Sequence, residues 1–368
     1  MYSTILNKIT NLNFHWIGTG AADLTCPSII LEKKIKYKII SSFIFKKNWL
    51  RIFSKYPFVL LHYILLYLIY TPYSFFKIKK FVLNESIEII WIETFKQTYL
   101  LAYLLDKFCK CKIHLSFNDH FSAHSLKPEQ YILKYFFKKL LKKSFTYDFI
   151  SDGMLEYYRR NYNFNSQNYM IFWIGEQFKI VTKRKFNNKI SKIIFYGNIH
   201  GLNTFYSFCD SIHEINAQQN NNITIDIYSQ VDFCFIEKKY SFVNYMGSIT
   251  SNQLALNLQN YDLVYVPMYF DEKNSIVART SISSKMLLAI NATIPIFSHA
   301  PKFSANSLFV EKNNIGITCP YIDKTKIIEL IVNLTNLELI EYSKNESILN
   351  HKTFQSEDIS NFEKLLTL

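Results

Sequence analysis

The hydrophobic positions of this chain alternate between short apolar runs and longer stretches with helical spacing. Compact runs such as EIIWI at 88–92 and KIHLSF at 112–117 are typical of strands buried in a parallel sheet. Helical periodicity follows the first of them at about 95–109, and a basic amphipathic stretch follows the second at 128–144. A short strand at 145–150 comes next, and then a helix at 152–162. The first half therefore predicts βαβ units.

The same alternation starts again near residue 188. Strands are predicted at 192–196, 223–229, 243–246, 263–267 and 294–298, and helices at 203–218, 251–259 and 284–290. At 368 residues the chain exceeds what one typical core supports. We therefore expect an α/β protein with two Rossmann-like domains, at 1–180 and 181–350, and a C-terminal helix at 351–368.

Composition indicates a folded protein, and the charge distribution separates its two halves. Hydrophobic residues make up 49% of the chain and aromatic residues 17%. Residues 1–175 carry 24 Lys and Arg against 11 Asp and Glu, whereas the remainder carries 18 of each. A basic domain attracts phosphate-rich partners such as an anionic membrane, a lipid pyrophosphate or nucleic acid. A solvated lysine-rich surface explains the charge equally well, and the chain has no nucleic-acid recognition motif.

Two segments of the first half suggest contact with a membrane surface. Residues 56–76 contain no formal charge and reach the length of a membrane span, but basic residues flank both ends and Thr71-Pro72 interrupts the run. A buried or interface-lying helix is therefore favoured over a span. The basic helix at 128–144 places lysines largely on one side. Its apolar side is predicted to hold Tyr131, Ile132, Tyr135, Phe136 and Leu140.

The cysteines predict neither a metal site nor secretion. They are scattered along the chain with one Cys-x-Cys pair and without the spacing of zinc ligands, at Cys26, Cys109, Cys111, Cys209, Cys234 and Cys319. The N-terminus lacks the pattern of a secretory signal. We expect a cytoplasmic protein without a metal cofactor, peripheral on the inner face of the cell membrane.

Polar residues follow two predicted strands of the first half. The strand at 112–117 delivers Asn118, Asp119 and His120 at its carboxyl end, where ligands bind in open α/β sheets. Asp119 could equally cap the next helix. Gly18 and Gly20 are predicted to form a loop after a strand at 13–18. Such a loop would let a donor or acceptor approach the backbone, or would be an ordinary turn.

The second half resembles the donor-binding domain of retaining GT-B glycosyltransferases, a large family with many members in bacterial surface-polysaccharide synthesis. KIIFYGNIHGLNT at 192–204 is similar to the opening strand and glycine turn, and YMGSITSNQLALNLQNYDLVYVPM at 245–268 to the next strand, helix and strand. TSISSKMLLAINATIPIFSHAPKFSANSLFVEKNNIG at 280–316 is similar to the Ser-Lys helix and the strand that follows. The resemblance implies a GT-B fold, with two facing Rossmann-like domains and a cleft between them.

The resemblance also implies a donor diphosphate held by hydroxyls, N–H groups and cations. The residues implied are Gly197, Asn198, Arg279, Thr280, Ser281, Ser283, Ser284 and Lys285. Arg279 is expected to pair with phosphate in a bidentate manner. Two positions depart from the family: Leu288 stands where many members carry the glutamate that holds the ribose, and Thr293 replaces a glycine.

The first half resembles the acceptor domain through SFNDH at 116–120 and YDFISDGMLEYYRRNY at 147–162. On this resemblance, Asp119 and His120 are expected beside the reacting sugar, where they would supply a hydrogen bond or a charge near the developing oxocarbenium ion. His114 lies inside the strand and is predicted to be a core histidine.

The function expected is transfer of a sugar from a nucleotide-sugar donor to a lipid-linked saccharide acceptor, with retention of configuration and without a metal ion. The partners expected are the donor, the acceptor and an anionic membrane surface, but no nucleic acid. The first alternative is a GT-B protein without transferase activity that serves as a binding or scaffold subunit, which Leu288 supports. The second is a basic nucleic-acid-binding protein.

Overall fold

The structure is a computed structural model that describes residues 15–20, 36–41, 65–123, 125, 127–143, 145–171, 190–219, 222–353 and 356–367. Its backbone contacts divide the chain into two compact units. Unit 1 comprises Met1–Ile150, Leu155–Phe172 and Ser356–Leu368. Unit 2 comprises Ser151–Met154 and Trp173–Gln355. The domain limits expected from the sequence remain a prediction.

Unit 1 contains a parallel sheet with the strand order β3-β4-β5-β6. These strands are β3 (Ile89–Glu93), β4 (Lys112–Phe117), β5 (Thr146–Phe149) and β6 (Tyr169–Ile171). The helices of this part of the chain are α1 (Thr71–Asn84), α2 (Thr98–Phe108), α3 (Lys127–Leu140) and α4 (Asp152–Tyr162). Because neighbouring strands are consecutive in the chain, α2, α3 and α4 each connect two adjacent parallel strands, as the alternating pattern predicts.

The buried face of α3 overlaps only in part with the apolar side named from the sequence. Leu133, Phe137 and Leu140 are fully buried, whereas Tyr131 is 79% exposed and Tyr135 is 55% exposed. The buried residues are spaced by four and three positions, so they share one face of the helix. Ile132 is also exposed. Of the residues placed on the apolar side from the sequence, Leu140 is thus buried, whereas Tyr131, Ile132 and Tyr135 are exposed.

A two-stranded parallel pair precedes this sheet in the chain. β1 (His15–Gly20) pairs with β2 (Lys36–Ser41), and the register aligns Gly18 with Ile39 and Gly20 with Ser41. The structure therefore differs from the loop predicted at 18–20, because the ladder continues through Gly20. The functional role suggested for Gly18 and Gly20 stays a prediction.

A buried polar network lies inside the sheet of unit 1. His114 Nε2 is 2.7 Å from Asp148 Oδ2, and His114 Nδ1 is 2.9 Å from Thr146 Oγ1. Ser116 Oγ also donates to the Asp148 carboxylate. The Phe362 ring lies 5.1 Å from the His114 ring. His114 is fully buried, as the sequence predicts.

The C-terminus forms two helices. α12 (Asn336–Thr353) belongs to unit 2, and α13 (Ser356–Thr367) belongs to unit 1. Phe362 of α13 is buried, and its ring centroid lies 4.9 Å from that of Trp91 on β3. The chain therefore returns to its first unit at its end.

Unit 2 contains a six-stranded parallel sheet with the order β12-β11-β10-β7-β8-β9. Its strands are β7 (Lys192–Tyr196), β8 (Thr224–Tyr228), β9 (Val243–Gly247), β10 (Leu263–Pro267), β11 (Ile296–His299) and β12 (Gly316–Cys319). Its further helices are α5 (Leu202–Gln219), α6 (Cys234–Lys239), α7 (Ser251–Asn257), α8 (Ser275–Thr280), α9 (Lys285–Ala292), α10 (Ala305–Asn313) and α11 (Lys324–Val332). The repeated βα order predicted from the sequence is confirmed.

The segment predicted at 56–76 is described only from residue 65 onward. Leu65–Tyr70 is a π-helical turn that leads into α1, and Phe75, Ile78 and Val82 are buried. Residues 56–64 lie outside the described part of the chain. None of the helices in the described part is both long and apolar enough to span a bilayer.

Candidate functional site

The strand order of unit 2 defines where a ligand is expected. From β7 the chain proceeds outward to β8 and β9, and it then returns past β7 to form β10, β11 and β12 on the other side. The order therefore reverses between β7 and β10. In open parallel sheets the crevice outside the carboxyl ends of such strands is where ligands bind. Gly197 and Asn198 directly follow β7 at this edge.

Gly197 forms the turn at the carboxyl end of β7. Its φ is +83°, a conformation that favours glycine, and its N–H donates to the Tyr228 carbonyl at 2.8 Å. A Cβ at this position would lie 3.4 Å from Cε and 3.6 Å from Nζ of Lys285. The Lys285 side chain therefore lies directly beside the Gly197 turn. Asn198 beside it is exposed.

Lys285 is a buried cation at the first residue of α9. It is 8% exposed, and burial lowers the pKa of its ammonium group to about 8. Nζ lies 5.4 Å from the centroid of the Phe195 ring. Within the described residues, no carboxylate forms an ion pair with it. An ammonium buried without a counter-charge is destabilising, so this arrangement suits an anionic ligand.

The Thr/Ser loop before α9, residues 280–284, has a buried beginning and a more exposed end. Thr280 and Ser281 are buried, and Thr280 Oγ1 donates to the Ile276 carbonyl at 2.8 Å. The N–H of Ser283 donates to Asn306 Oδ1 at 2.8 Å. Ser284 is exposed and Ser283 is half-buried. The outer hydroxyls, those of Ser283 and Ser284, are therefore better placed for a ligand than the hydroxyl of Thr280.

Arg279 lies in the last turn of α8, next to the final residue Thr280. Its guanidinium group stacks on the Phe303 ring, 4.4 Å from the centroid. Ser151 Oγ donates to the carbonyl of the adjacent Thr280 at 2.7 Å, and it also accepts from the N–H of Met154 in the first turn of α4. The segment that leads into the loop is thus held by hydrogen bonds and by aromatic stacking. The phosphate role of Arg279 stays a prediction.

The carboxyl ends of β3 and β4 bring together polar residues in unit 1. Asn118 Nδ2 donates to Glu93 Oε1 at 2.8 Å. Glu93 as a residue is exposed, but burial of its carboxyl group raises its pKa. The charges of Asp148 and Asp119 also raise the pKa, whereas the hydrogen bond from Asn118 lowers it. The sequence analysis missed Glu93. Its signal is an acidic residue directly after the apolar run of β3.

His120 is enclosed instead of facing solvent. It is 2% exposed, with Nδ1 2.7 Å from Ser122 Oγ and Nε2 3.3 Å from Tyr162 Oη. The rings of Phe121 and Tyr158 lie beside it, with centroids 4.1 Å and 5.8 Å away. Burial, together with the charge of Lys134, lowers its pKa to about 3, so the ring is neutral near pH 7. A neutral ring can give or accept a hydrogen bond, but it brings no charge.

Asp119 is half-buried at the end of β4. The next helix, α3, begins only at Lys127, so Asp119 does not cap it. The catalytic roles expected for Asp119 and His120 remain predictions. In the described part of the chain, no three His, Cys, Asp or Glu side chains cluster as metal ligands do.

Comparison with known proteins gives no match to a family model and none to a curated protein. The chain is nevertheless similar in structure to glycosyltransferases. A structure described as trehalose-6-phosphate from E. coli with bound UDP-2-fluoro glucose has a TM-score of 0.67 at 11% identity, covering 99% of this chain and 95% of that one. The lipopolysaccharide outer core galactosyltransferase WaaB has a TM-score of 0.60 at 11% identity, covering 96% and 98%.

TarM from S. aureus, in a complex that contains UDP, has a TM-score of 0.50 at 14% identity. The matched region covers 75% of this chain, and the chain spans 55% of the length of TarM. At these identities the likenesses show the fold alone. Together with the parallel sheet in each unit, they show that the chain has the GT-B fold.

Proposed function

We propose that the protein is a glycosyltransferase that takes a sugar from a nucleoside-diphosphate sugar. The observation that carries this proposal is Lys285, a buried ammonium group against the Gly197 turn, without an ion-pair partner in the described residues. It lies at the start of a helix that follows β10, one of the two strands between which the sheet order reverses. A diphosphate would supply the negative charge that this position lacks.

In the proposed reaction, the bond between the sugar and the diphosphate breaks, and negative charge develops on the leaving diphosphate. Lys285 and the backbone around Gly197 and Ser284 stabilise that charge, and Arg279 adds a second cation. These groups are fixed before the reaction begins, so little reorganisation is needed as the charge develops. Asp119 orients the acceptor or the sugar by a hydrogen bond, and the neutral ring of His120, hydrogen-bonded to Ser122 and Tyr162, holds the segment after β4 in place. Retention of configuration and independence of metal ions belong to the same proposal.

The acceptor proposed is a lipid-linked saccharide at the inner face of the cell membrane, and the pathway proposed is synthesis of a bacterial surface polysaccharide. The excess of basic residues in positions 1–175 supports this, because lipid pyrophosphates and anionic lipids are negatively charged. The structural likeness to WaaB, which acts on the lipopolysaccharide outer core, is compatible with such an acceptor.

A thermal-shift titration with UDP, GDP, CMP and dTDP tests the donor site. A ligand that binds only the folded state raises the melting temperature by mass action. We expect one nucleoside diphosphate to stabilise the wild type, Lys285→Ala to lose this response, and Lys302→Ala, at an exposed lysine of the same unit, to keep it. If no nucleotide stabilises the wild type, or if Lys285→Ala responds like the wild type, the proposed donor site is wrong.

A second measurement separates an enzyme from a binding subunit. Leu288, the third residue after Lys285, is apolar and half-buried, where related enzymes carry a ribose-binding glutamate. This observation favours a GT-B protein that binds a nucleotide sugar without transferring it. Release of the nucleoside diphosphate from its sugar, measured with lipid extract as acceptor, supports the transferase. Nucleotide binding without any turnover supports the scaffold role.

A further inference from the structure

Helix α1 of unit 1 has two apolar faces, of which only one is buried. The buried face contains Phe75, Ile78 and Val82. On the opposite side Phe76 is 66% exposed and Leu83 is 65% exposed. Helix spacing places three more residues on that side, namely Tyr73, Lys77 and Lys80, which are also exposed. Sequence 71–84 contains no acidic residue. The outer side of α1 is thus apolar and basic at once.

Helix α3 presents a surface of the same chemistry. Its exposed residues, spaced by three or four positions, are Tyr131, Lys134, Tyr135, Lys138 and Lys139. The ammonium group of Lys139 lies 5.6 Å from the centroid of the Tyr135 ring. Aromatic rings and lysines that share one outer face are typical of helices that lie in a membrane interface.

Among the described residues, no carboxylate forms an ion pair with the exposed lysines of α1 and α3. Glu129 of α3 is buried and accepts a hydrogen bond from Tyr67 Oη at 2.8 Å. Asp106 of α2 pairs with Lys143 at 2.8 Å, which lies beyond the end of α3. The lysines on the outer sides of α1 and α3 therefore remain available to an anionic partner.

Helix α2 packs against both α1 and α3. Phe108 at its end lies 5.6 Å from Phe75 of α1, and Tyr103 lies 5.4 Å from Phe136 of α3, measured between ring centroids. Phe108 itself is 49% exposed, and the ammonium group of Lys107 is 5.4 Å from its ring. Both α1 and α3 thus pack against a helix that itself exposes an aromatic ring beside a lysine. We call the exposed residues of these three helices the lysine–aromatic surface.

We propose that the lysine–aromatic surface docks the protein on a bilayer that contains anionic lipid. The lysines match the negative headgroups, and the aliphatic and aromatic side chains match the boundary with the acyl chains. Leu68 at 69% exposure and Ile69 at 49%, just before α1, extend the apolar part. Nucleic acid would bind the lysines and stack on the rings, but it offers no apolar layer for these leucine and isoleucine side chains. This inference rests on the proposed function in one point only, namely that the acceptor lies in the membrane.

Cosedimentation of the full chain with vesicles tests this surface. One vesicle is phosphatidylcholine alone, and the other contains roughly one third phosphatidylglycerol. We expect the wild type to prefer the anionic vesicle and to release it as salt increases. The charge variant is Lys138→Gln/Lys139→Gln, and the apolar variant is Phe76→Ser/Leu83→Ser. The matched control is Lys302→Gln/Leu337→Ser, at exposed positions of unit 2, where Leu337 is 79% exposed.

Each lysine near an anionic surface changes binding by about fivefold, so the charge variant should bind about 25-fold more weakly. The apolar variant should lose on the order of tenfold, and the control should bind like the wild type. Equal binding by the wild type and both surface variants would overturn the proposal. An equal loss of vesicle binding in the control variant would also overturn it. So would a competition experiment in which a single-stranded DNA oligomer displaces the vesicles while the apolar variant binds vesicles like the wild type.

The nucleotide thermal shift, measured on the same variants, separates this inference from the proposed function. Variants that lose vesicle binding but keep the nucleotide response and the melting temperature of the wild type support a separate docking surface. A wild type that binds anionic vesicles through this surface but responds to no nucleotide would refute the donor site and leave the docking surface in place.

Discussion

The side chain of Lys285 lies directly against the Gly197 turn, since a Cβ at Gly197 would be in van der Waals contact with the lysine Cε at 3.4 Å. The two residues come from different βα units of one sheet, at the start of α9 and directly after β7. Gly197 has a φ of +83°, and Lys285 is almost fully buried. Gly197 is thus constrained in its backbone conformation, and Lys285 carries its charge in a buried position. Both features have consequences that can be measured.

The burial of Lys285 should reduce stability in the absence of a ligand. Its pKa is lowered from 10.5 to about 8, which corresponds to about 3 kcal/mol favouring the neutral form. Below pH 8 the lysine is protonated in both states, and the folded state carries this full cost. Between pH 8 and 10.5 the unfolded chain binds more protons, so the unfolding free energy contributed by this group rises with pH.

Lys285→Met should therefore increase the unfolding free energy at pH 7 by about 1–3 kcal/mol, and the increase should shrink as pH rises toward 10.5. Urea denaturation of both proteins across this range measures the effect. Lys302→Met, at an exposed lysine, should change stability by less than about 0.5 kcal/mol at any of these pH values. A Lys285→Met protein that is less stable at pH 7 and equally so at pH 10 would contradict the expected charge penalty.

Gly197→Ala should reduce stability and weaken nucleotide binding together. A positive φ costs a non-glycine residue about 1–2 kcal/mol, and the new Cβ would also touch Lys285. Gly247→Ala is the control for the backbone cost, since its φ is +72° and a Cβ there would meet nothing within 4 Å. Both variants should lose similar stability in urea. Only Gly197→Ala should also lose the thermal response to a nucleoside diphosphate, and loss of that response in both would remove the specific role of the contact.

Some elements are predictable from the sequence because their boundaries are chemical. The pattern predicts β4 at 112–117 with the bounds that the structure gives, since Lys112 opens an apolar run and Asn118 ends it. The strands at 192–196 and 263–267 are predicted with equal accuracy for the same reason. Local alternation of apolar and polar residues carries this information without any knowledge of neighbours.

Other features depend on which elements become neighbours. Tyr131 and Tyr135 look like packing residues by their apolar rings, but α3 buries Leu133 and Phe137 instead. The pairing of Glu93 with Asn118 requires the register of β3 against β4, which no local pattern contains. The burial of Lys285 likewise depends on the position of β7 beside β10. The types of residue at the candidate site can therefore be predicted from the sequence. Their burial, their partners and the resulting pKa shifts cannot.

Two buried histidines should make the protein sensitive to acid. Burial lowers the pKa of His120 to about 3 and that of His299 to about 4, against an ordinary value of 6.5. Between the folded-state pKa of each histidine and 6.5, the unfolded state binds more protons than the folded state. The unfolding free energy therefore falls as pH decreases below 6.5. Each group contributes several kcal/mol when the fall is complete.

We expect His120→Phe to be less stable than the wild type at pH 7, because two hydrogen bonds are lost, but to lose less further stability between pH 6.5 and 4. Chemical denaturation at several pH values measures this slope. His213→Phe, at an exposed histidine, should keep the wild-type slope. An unchanged slope in His120→Phe would show that His120 is not neutral and buried as described.

The covering of the buried network of unit 1 by α13 should contribute strongly to stability. Phe362 is fully buried against the rings of Trp91 and His114. Phe362→Ala should cost about 3–5 kcal/mol, the usual range for removing a buried phenylalanine. Leu337→Ala, on the outside of α12, should cost less than about 0.5 kcal/mol. A loss below about 1 kcal/mol for Phe362→Ala in urea denaturation would mean that α13 does not pack as described.

The surroundings of Gly153 decide whether replacing it by alanine stabilises or destabilises the protein. In a helix with open space around the glycine, this replacement raises the free energy of unfolding by about 1 kcal/mol. Gly153 lies in the first turn of α4, where a Cβ would meet the Arg279 carbonyl at 2.4 Å. The carbonyl belongs to backbone that Ser151 also holds through Thr280, so it cannot move freely. Gly153→Ala should therefore destabilise by about 1–3 kcal/mol and weaken the nucleotide response by shifting the segment before Lys285. Glu156→Ala, at an exposed position of the same helix, should leave both unchanged. Stabilisation by Gly153→Ala in the same thermal-shift assay would mean that the close approach to Arg279 does not exist.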